Sequence, residues 1–230
     1  MCILIFRCSG KRKGGINVAT QAVITIGRQF GSGGRQVGKL LAEKLGIPFY
    51  DKELITMAAK DSGIGEEIME EHDEKPVRAL LFSMMAGMQM RGDAGGFYMD
   101  MPLGHKIFLA QFDAIRTIAH QGPCVIVGRC ADYVLRDMPH AVRVFLYADI
   151  QRRIQRAISL YNVDPVKAEE IVRRNDKQRQ SYYNYYATNT WGAVENYDLC
   201  LDTGVLGIKG TVDLLATYVS MHEDAVKAIH

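Results

Sequence analysis

What the 230-residue chain lacks narrows its identity first. No apolar run approaches the roughly 18 residues needed to cross a bilayer, so neither a membrane-spanning segment nor a membrane partner is expected. Charge of one sign is also missing: 28 Lys and Arg stand against 26 Asp and Glu, a formal net of +2. So small a surplus gives no global pull toward nucleic acid, and no bulk nucleic acid is expected as a ligand. Any polyanion the protein handles must be met by local positive charge. The five cysteines, Cys2, Cys8, Cys124, Cys130 and Cys200, never fall in CxxC or Cys/His ligand spacing. That excludes a disulfide framework and a zinc site by pattern, and a reducing cytoplasm is the expected compartment. There is no internal repeat, no low-complexity tract, and no base-and-orienter arrangement among the six histidines. Ile3–Phe6 precedes the basic Lys11–Lys13 rather than following it, the wrong order for a secretory signal. Residues 1–21, without periodicity, read as an N-terminal extension and residues 223–230 as a C-terminal tail.

From about residue 22 onward short apolar runs alternate with helical patterns, the signature of βαβ units and a mostly parallel sheet. Val23–Ile26 reads as a buried strand running into a glycine-rich turn. Val37, Leu40, Leu41 and Leu45 then repeat at helical spacing up to Gly46, a C-cap. Ile47–Tyr50, Cys124–Val127, Val142–Tyr147 and Tyr197–Asp202 read as four further strands. Phe108, Phe112, Ile115 and Ala119 share one helical face. Asp164-Pro165 reads as a helix start, and a final helix, with Thr211 as cap, turns Val212, Leu215 and Val219 inward. Residues from about 61 to 103 are less regular. Their methionines, Met84, Met85, Met88, Met90, Met99 and Met101, suggest an adaptable apolar surface for an acceptor or for a second copy of the chain, which leaves a homo-oligomer open.

The first stretch that carries chemistry is Gly27-Arg28-Gln29-Phe30-Gly31-Ser32-Gly33-Gly34-Arg35-Gln36, between the first strand and the first helix. Glycines let the backbone curl so that successive N–H groups point inward, and the helix that follows adds the partial positive charge of its N-terminus. A phosphate suits such a turn. A plain strand-to-helix turn needs fewer glycines than four in eight residues. A dinucleotide fingerprint would need an acidic residue ending the second strand, where only Asp51 qualifies. The strict GxxxxGK[ST] pattern fails: Gly34 stands in the lysine position with Arg35 next, and the usual Ser or Thr is absent. Arg35 is then the expected cation on the transferring phosphate.

The residues Ile24–Arg35, Gly46–Leu54, Val125–Asp132 and Arg173–Arg179 with the tyrosines after them resemble the cytidylate kinase-like family among the P-loop nucleoside monophosphate kinases. The resemblance spans about residues 22–222. It implies an α/β P-loop NTPase fold of three α/β/α layers around a five-stranded parallel sheet, with an acceptor-binding insertion at about 52–105 and a helical lid at about 150–192. It further implies ATP and Mg2+ as donor and cofactor, with nucleotides as substrates. Gly31, Ser32, Gly33, Gly34, Arg35 and Gln36 would then cradle the ATP phosphates. Arg129, with Asp51 and Asp132, would hold the acceptor, although Cys130 stands where the family's Gly-Arg-Asp segment carries Asp. Arg153, Arg156, Arg173, Arg174, Asp176 and Arg179 would line the lid, with Arg35, Arg174 and Arg179 catalytic. Magnesium ligands stay open, Ser32 and, through water, Asp51 being the candidates.

Bland readings stand beside these. Asp51 is also a helix cap, Arg129 a surface arginine in an ion pair, and Arg173 and Arg174 a solvated helix face paired to Glu170. Tyr182, Tyr183, Tyr185, Tyr186 and Trp191 more economically anchor the lid than stack on bases. The expected activity is ATP-dependent phosphoryl transfer to a nucleoside monophosphate such as CMP. The alternatives are another small phosphate or alcohol acceptor, or a nucleotide-binding regulator that has lost catalysis.

Overall fold

The computed structural model describes residues 20–51, 63 and 103–229. Five strands build one sheet: β1 (Val23–Arg28), β2 (Phe49–Tyr50), β3 (Cys124–Val127), β4 (Ala141–Tyr147) and β5 (Leu199–Asp202). Their order is β2-β3-β1-β4-β5 and every pair is parallel. Parallel strands require crossovers, and six helices are described: α1 (Gly34–Leu45), α2 (Leu103–Gln121), α3 (Ala131–Val134), α4 (Ile150–Tyr161), α5 (Ala168–Tyr186) and α6 (Thr203–Ile229).

Strand alternation sorts the core into two layers. Ile24, Ile26, Val125, Val127, Val142 and Val144 face Val37 and Leu41 of α1 and Val212, Leu215 and Val219 of α6. On the opposite side Val23, Cys124 and Ile126 meet Ile107, Ile115 and Ile118 of α2 and Val134 of α3. A strand buried on both faces must be apolar at nearly every position, which is why β3 reads Cys-Val-Ile-Val without alternation. Each such aliphatic side chain contributes about 1.5–3 kcal/mol on burial. The doubly covered sheet is therefore the rigid platform for whatever sits at its carboxyl edge.

Several boundaries differ from the sequence reading. β1 runs on through Gly27 and Arg28 because ladder pairing with Phe145 and Leu146 of β4 continues there, and β5 starts at Leu199, the backbone N–H of Asp198 bonding to Arg143 instead. Leu40 is exposed, outside the α1 stripe. α5 starts at Ala168: Asp164 accepts the Val166 N–H and closes a separate turn before it. Thr211 does not begin the last helix. It lies inside α6, donating to the Gly207 carbonyl one turn back, and the helix starts at Thr203 with a kink at Gly207. α6 also passes without a break through residue 223. There the Glu223 carboxylate, buried, accepts from the Thr20 hydroxyl and from the N–H groups of Gln21 and Ala22, which ties residues 20–22 to α6. The methionines of residues 84–101 and a helix capped by Asp51 lie outside the described residues.

Candidate functional site

β1 ends at the middle of the sheet, and the chain leaves it as the glycine loop. Gly31 and Gly33 adopt φ of 75° and 83°, a left-handed region open to glycine at little cost. At Gly31 a side chain is excluded twice, since a Cβ would lie 2.5 Å from the Arg153 carbonyl oxygen. Gly33 is the N-cap of α1 and offers no side chain to its first turn. The amides of that turn therefore await an external acceptor, and the helix dipole favours an anionic one.

The arrangement of the loop is imposed from outside. The Arg156 guanidinium donates to the carbonyls of Gly31 (3.1 Å) and Ser32 (2.7 Å), the Thr203 hydroxyl donates to Ser32 (2.6 Å), and Arg153 reaches the Phe30 carbonyl at 3.4 Å. Because a peptide unit is planar and trans, holding the carbonyls of Phe30 and Ser32 on one side turns the following N–H groups, those of Gly31 and Gly33, to the other. Asp176 of α5 accepts the Phe30 N–H (2.7 Å) and pairs with Arg153. The Phe30 ring lies against Tyr161 (centroids 5.4 Å apart), and the Arg179 guanidinium is 5.5 Å from its centroid. Burial lowers the Arg156 pKa from its ordinary value, with Arg152 adding to the effect. Thus Arg153, Arg156 and Asp176, predicted for the lid, meet the loop's backbone here.

Arg35, in the first turn of α1, donates through its Nε to Asp51 Oδ2 at 2.6 Å; Asp51 is buried at the end of β2 while Arg35 stays half exposed. The Ser32 hydroxyl is turned inward to the Gln29 carbonyl at 2.9 Å. Among the described residues no group of three or more His, Cys, Asp or Glu could hold a metal.

Just past β3 the chain makes a second unusual turn. Gly128, Arg129 and Cys130 all have positive φ, 82°, 60° and 55°, and Arg129 and Cys130 are not glycine. Such positions cost about 1–3 kcal/mol each and persist where the surroundings over-determine them. Arg129 is nonetheless buried. Its turn, Arg28, Arg179, Tyr183, Trp191 and Tyr197 line a cavity at the carboxyl edge of the sheet, where open α/β sheets bind ligands. Three arginines from three different elements meet there. Arg173 and Arg174 do not join them: both are exposed, and Arg173 is closed by an ion pair to Glu169, not Glu170, one turn back.

Asp132 also lines the cavity, but its carboxylate accepts from the Tyr183 hydroxyl at 2.6 Å. Burial pushes its pKa up from 3.8 to about 6, the Tyr183 hydrogen bond and the N–H groups of Asp132 and Tyr133 acting in the opposite sense. The native state thus holds this proton more tightly than the unfolded chain. The group favours folding below about pH 4 and loses that contribution as pH rises toward 6. Asp132→Asn, which keeps an acceptor for Tyr183 without the charge, is expected to gain up to about 3 kcal/mol on the wild type between pH 4 and 7. The denaturant midpoint of each across that range measures it; parallel curves would contradict the assignment.

Tyr182, Tyr183 and Tyr186 are packed with Phe108, Cys130 and Ala187, and Phe108 stacks on Tyr186 at 4.1 Å. They anchor α5 to the body, whereas Tyr185 is half exposed. Sequence reasoning missed Thr203 and Tyr197, which flank β5 and meet the loop and the cavity only through the fold. The one signal that could have found them is their place beside the carboxyl-edge strands, and it carries no motif.

A model of the cytidylate kinase-like family matches residues 23–205. A solved structure described as an uncharacterized protein from Eubacterium ventriosum ATCC 27560 is 30% identical, with 87% of this chain and 99% of that one covered and a TM-score of 0.65. A shikimate kinase from Bacteroides thetaiotaomicron is 15% identical over 86% of this chain and 98% of its own, with a TM-score of 0.50, a likeness of fold. No curated protein matches the sequence. No helix among the described residues is long and apolar enough to cross a membrane.

Proposed function

The chain belongs to the cytidylate kinase-like family and has the P-loop kinase fold, and from that premise we propose that it passes the γ-phosphoryl group of Mg-ATP to a nucleoside monophosphate resembling CMP. The observation that carries the reading is the adjacency of two anion-directed features at the centre of the sheet edge. One is a glycine loop whose amides open onto the N-terminus of α1. The other is a cavity lined by Arg28, Arg129 and Arg179 immediately beside it.

In this reading the N–H groups of Gly31 and of Gly33 to Gln36 and the α1 dipole receive the donor phosphates, the Ser32 N–H being taken by the Gln29 carbonyl, with Arg35 adding a full charge at the first turn. Arg129 holds the acceptor phosphate in the cavity. Arg179, carried by α5 and set against Phe30, meets the charge that spreads over the equatorial oxygens. The acceptor is already an anion, so no general base is required, and the work of the site is positioning and electrostatic stabilisation. Arg173 and Arg174 face solvent and are given no contact.

Magnesium keeps several waters and takes one or two carboxylates beside phosphate oxygens rather than a protein cage. Here the Ser32 hydroxyl is turned inward to the Gln29 carbonyl and the Asp51 carboxylate is engaged by Arg35, so neither is set out for an ion arriving with the nucleotide. An ion carried in with the nucleotide would supply neutralising charge beside the donor phosphates.

Cys130, in place of the family's Asp, favours a second reading in which another small phosphate or alcohol is the acceptor. A panel of nucleoside monophosphates and small alcohols with Mg-ATP, read by ADP release, tests both. The largest kcat/KM is expected with CMP. Release only with an alcohol selects the second reading, and ATP binding with no release under any acceptor overturns catalysis.

A further inference from the structure

The lysine position of the phosphate loop holds Gly34, and the structure gives the reason. A Cβ at Gly34 would lie 2.7 Å from Cβ and 2.9 Å from Cγ of Arg28. Real Cβ atoms do not approach so closely, so the Arg28 stem occupies the space a side chain at residue 34 would need. That stem belongs to the last residue of β1, whose backbone is fixed by pairing to Leu146 of β4. The same residue lines the cavity with Gly27, Gly128, Arg129 and Arg179. Arg28 therefore touches both halves of the site: its stem packs on the first residue of α1, and its side chain borders the acceptor cavity.

Resting on the kinase reading above, we propose that Arg28 is a catalytic residue, the cation that takes over the missing lysine's role on the transferring phosphoryl group. In that step a bond forms between an acceptor oxygen and the γ-phosphorus. The bond from the γ-phosphorus to the β,γ-bridging oxygen breaks, and the electron pair leaves with ADP. Arg28 stays protonated and exchanges nothing; it neutralises charge as the group passes from loop to cavity. An arginine suits the task because its planar fork can engage two phosphate oxygens at once, and because it stays charged in any protein environment. Arg35, drawn aside to Asp51, is less well placed for the same oxygens.

The test uses the full chain with Mg-ATP and the best acceptor from the panel. Arg28→Met keeps a stem against Gly34 and removes the charge with its hydrogen-bond donors. It is expected to lower kcat at saturating substrates by about 10²–10³-fold while the Kd for Mg-ATP, from calorimetry, changes less than about threefold. Arg28→Lys is expected to regain at least tenfold of that loss. If Arg28→Met does not melt like the wild type, Arg28→Lys is compared with Arg28→Gln, and a ratio of kcat values above about tenfold is the expected result. A kcat for Arg28→Met within threefold of the wild type, or equal values for the Lys and Gln variants, overturns the role of Arg28 and leaves the kinase reading standing. A wild-type chain that releases no ADP with any acceptor overturns the kinase reading, and Arg28 with it.

Discussion

Arg129→Ala is expected to lower kcat/KM for the acceptor by about 10³-fold while the affinity for Mg-ATP stays within about twofold. The expectation comes from where the residue sits. The backbone at Gly128, Arg129 and Cys130 is held at positive φ in three consecutive residues, and the arginine so presented is buried beside Arg28 and Arg179. Alanine at the same φ inherits a comparable strain, so the substitution removes the charge without relieving the turn. In the proposed reading, a charge lost from the cavity that holds the acceptor phosphate costs far more than the same charge lost from the surface. Losing one preorganised donor accounts for about 10²–10³-fold in turnover, and weaker acceptor binding adds to it. Steady-state kinetics with each substrate varied separately measures both. Unchanged acceptor kinetics would sink the assignment, and a matched loss in ATP affinity would move Arg129 to the donor side.

Arg35→Ala is expected to lower turnover by about 10²-fold or more with little effect on folding. These two effects are separable by magnitude. The ion pair from Arg35 to Asp51 is short, at 2.6 Å, but the arginine is 56% exposed. Pairs with exposed partners contribute about 1 kcal/mol or less to stability, and the buried Asp51 has a further interaction besides Arg35. Removing the guanidinium therefore leaves the thermal midpoint within a few degrees of the wild type, while the first turn of α1 loses its full positive charge next to the phosphate loop. Asp51→Asn keeps Arg35 but weakens its restraint, and a smaller loss, about tenfold, is expected. Assays of kcat beside a melting curve read the difference. Turnover for Arg35→Ala equal to the wild type would remove it from the site, and a collapse of the melting point would reduce it to a structural pair.

The elements were legible where the pattern was local. The runs Val23–Ile26, Cys124–Val127 and Val142–Tyr147 are apolar but for Thr25 and Arg143 because both faces of the sheet are covered, and Gly46 ends α1 in the left-handed conformation that a C-cap glycine takes. The glycine loop was legible for the same reason, since consecutive residues make it. Boundaries failed where a distant partner decided them. β1 extends two residues further because β4 offers a ladder there, and Thr211, in form a good cap, spends its hydroxyl on Gly207 inside a helix that had already begun at Thr203.

The arginines show the division most clearly. Their clustering at Arg28 and Arg35, Arg129, and Arg173 to Arg179 was visible in a chain of net charge +2, and so was the need for local positive charge. Their partition was not. On α5, Asp176 and Arg179 meet Phe30 of the loop while Arg173 and Arg174 turn to water, a split that spacing alone does not give, since Arg173 is as close along the helix to Asp176 as Arg179 is. On α4, Arg153 and Arg156, equally plausible as lid charges, hold loop carbonyls.

By itself the sequence determined the parallel α/β class and the glycine loop, because apolar periodicity and glycine content are properties of adjacent residues, while the family was legible as a resemblance of several motifs taken together. Only the tertiary structure decided which cation meets which part of the site. Side chains from β1, the β3 turn and α5 converge through a sheet order, β2-β3-β1-β4-β5, that no short stretch of sequence encodes. The empty place at Gly34 acquires a meaning only when Arg28 is seen to fill it.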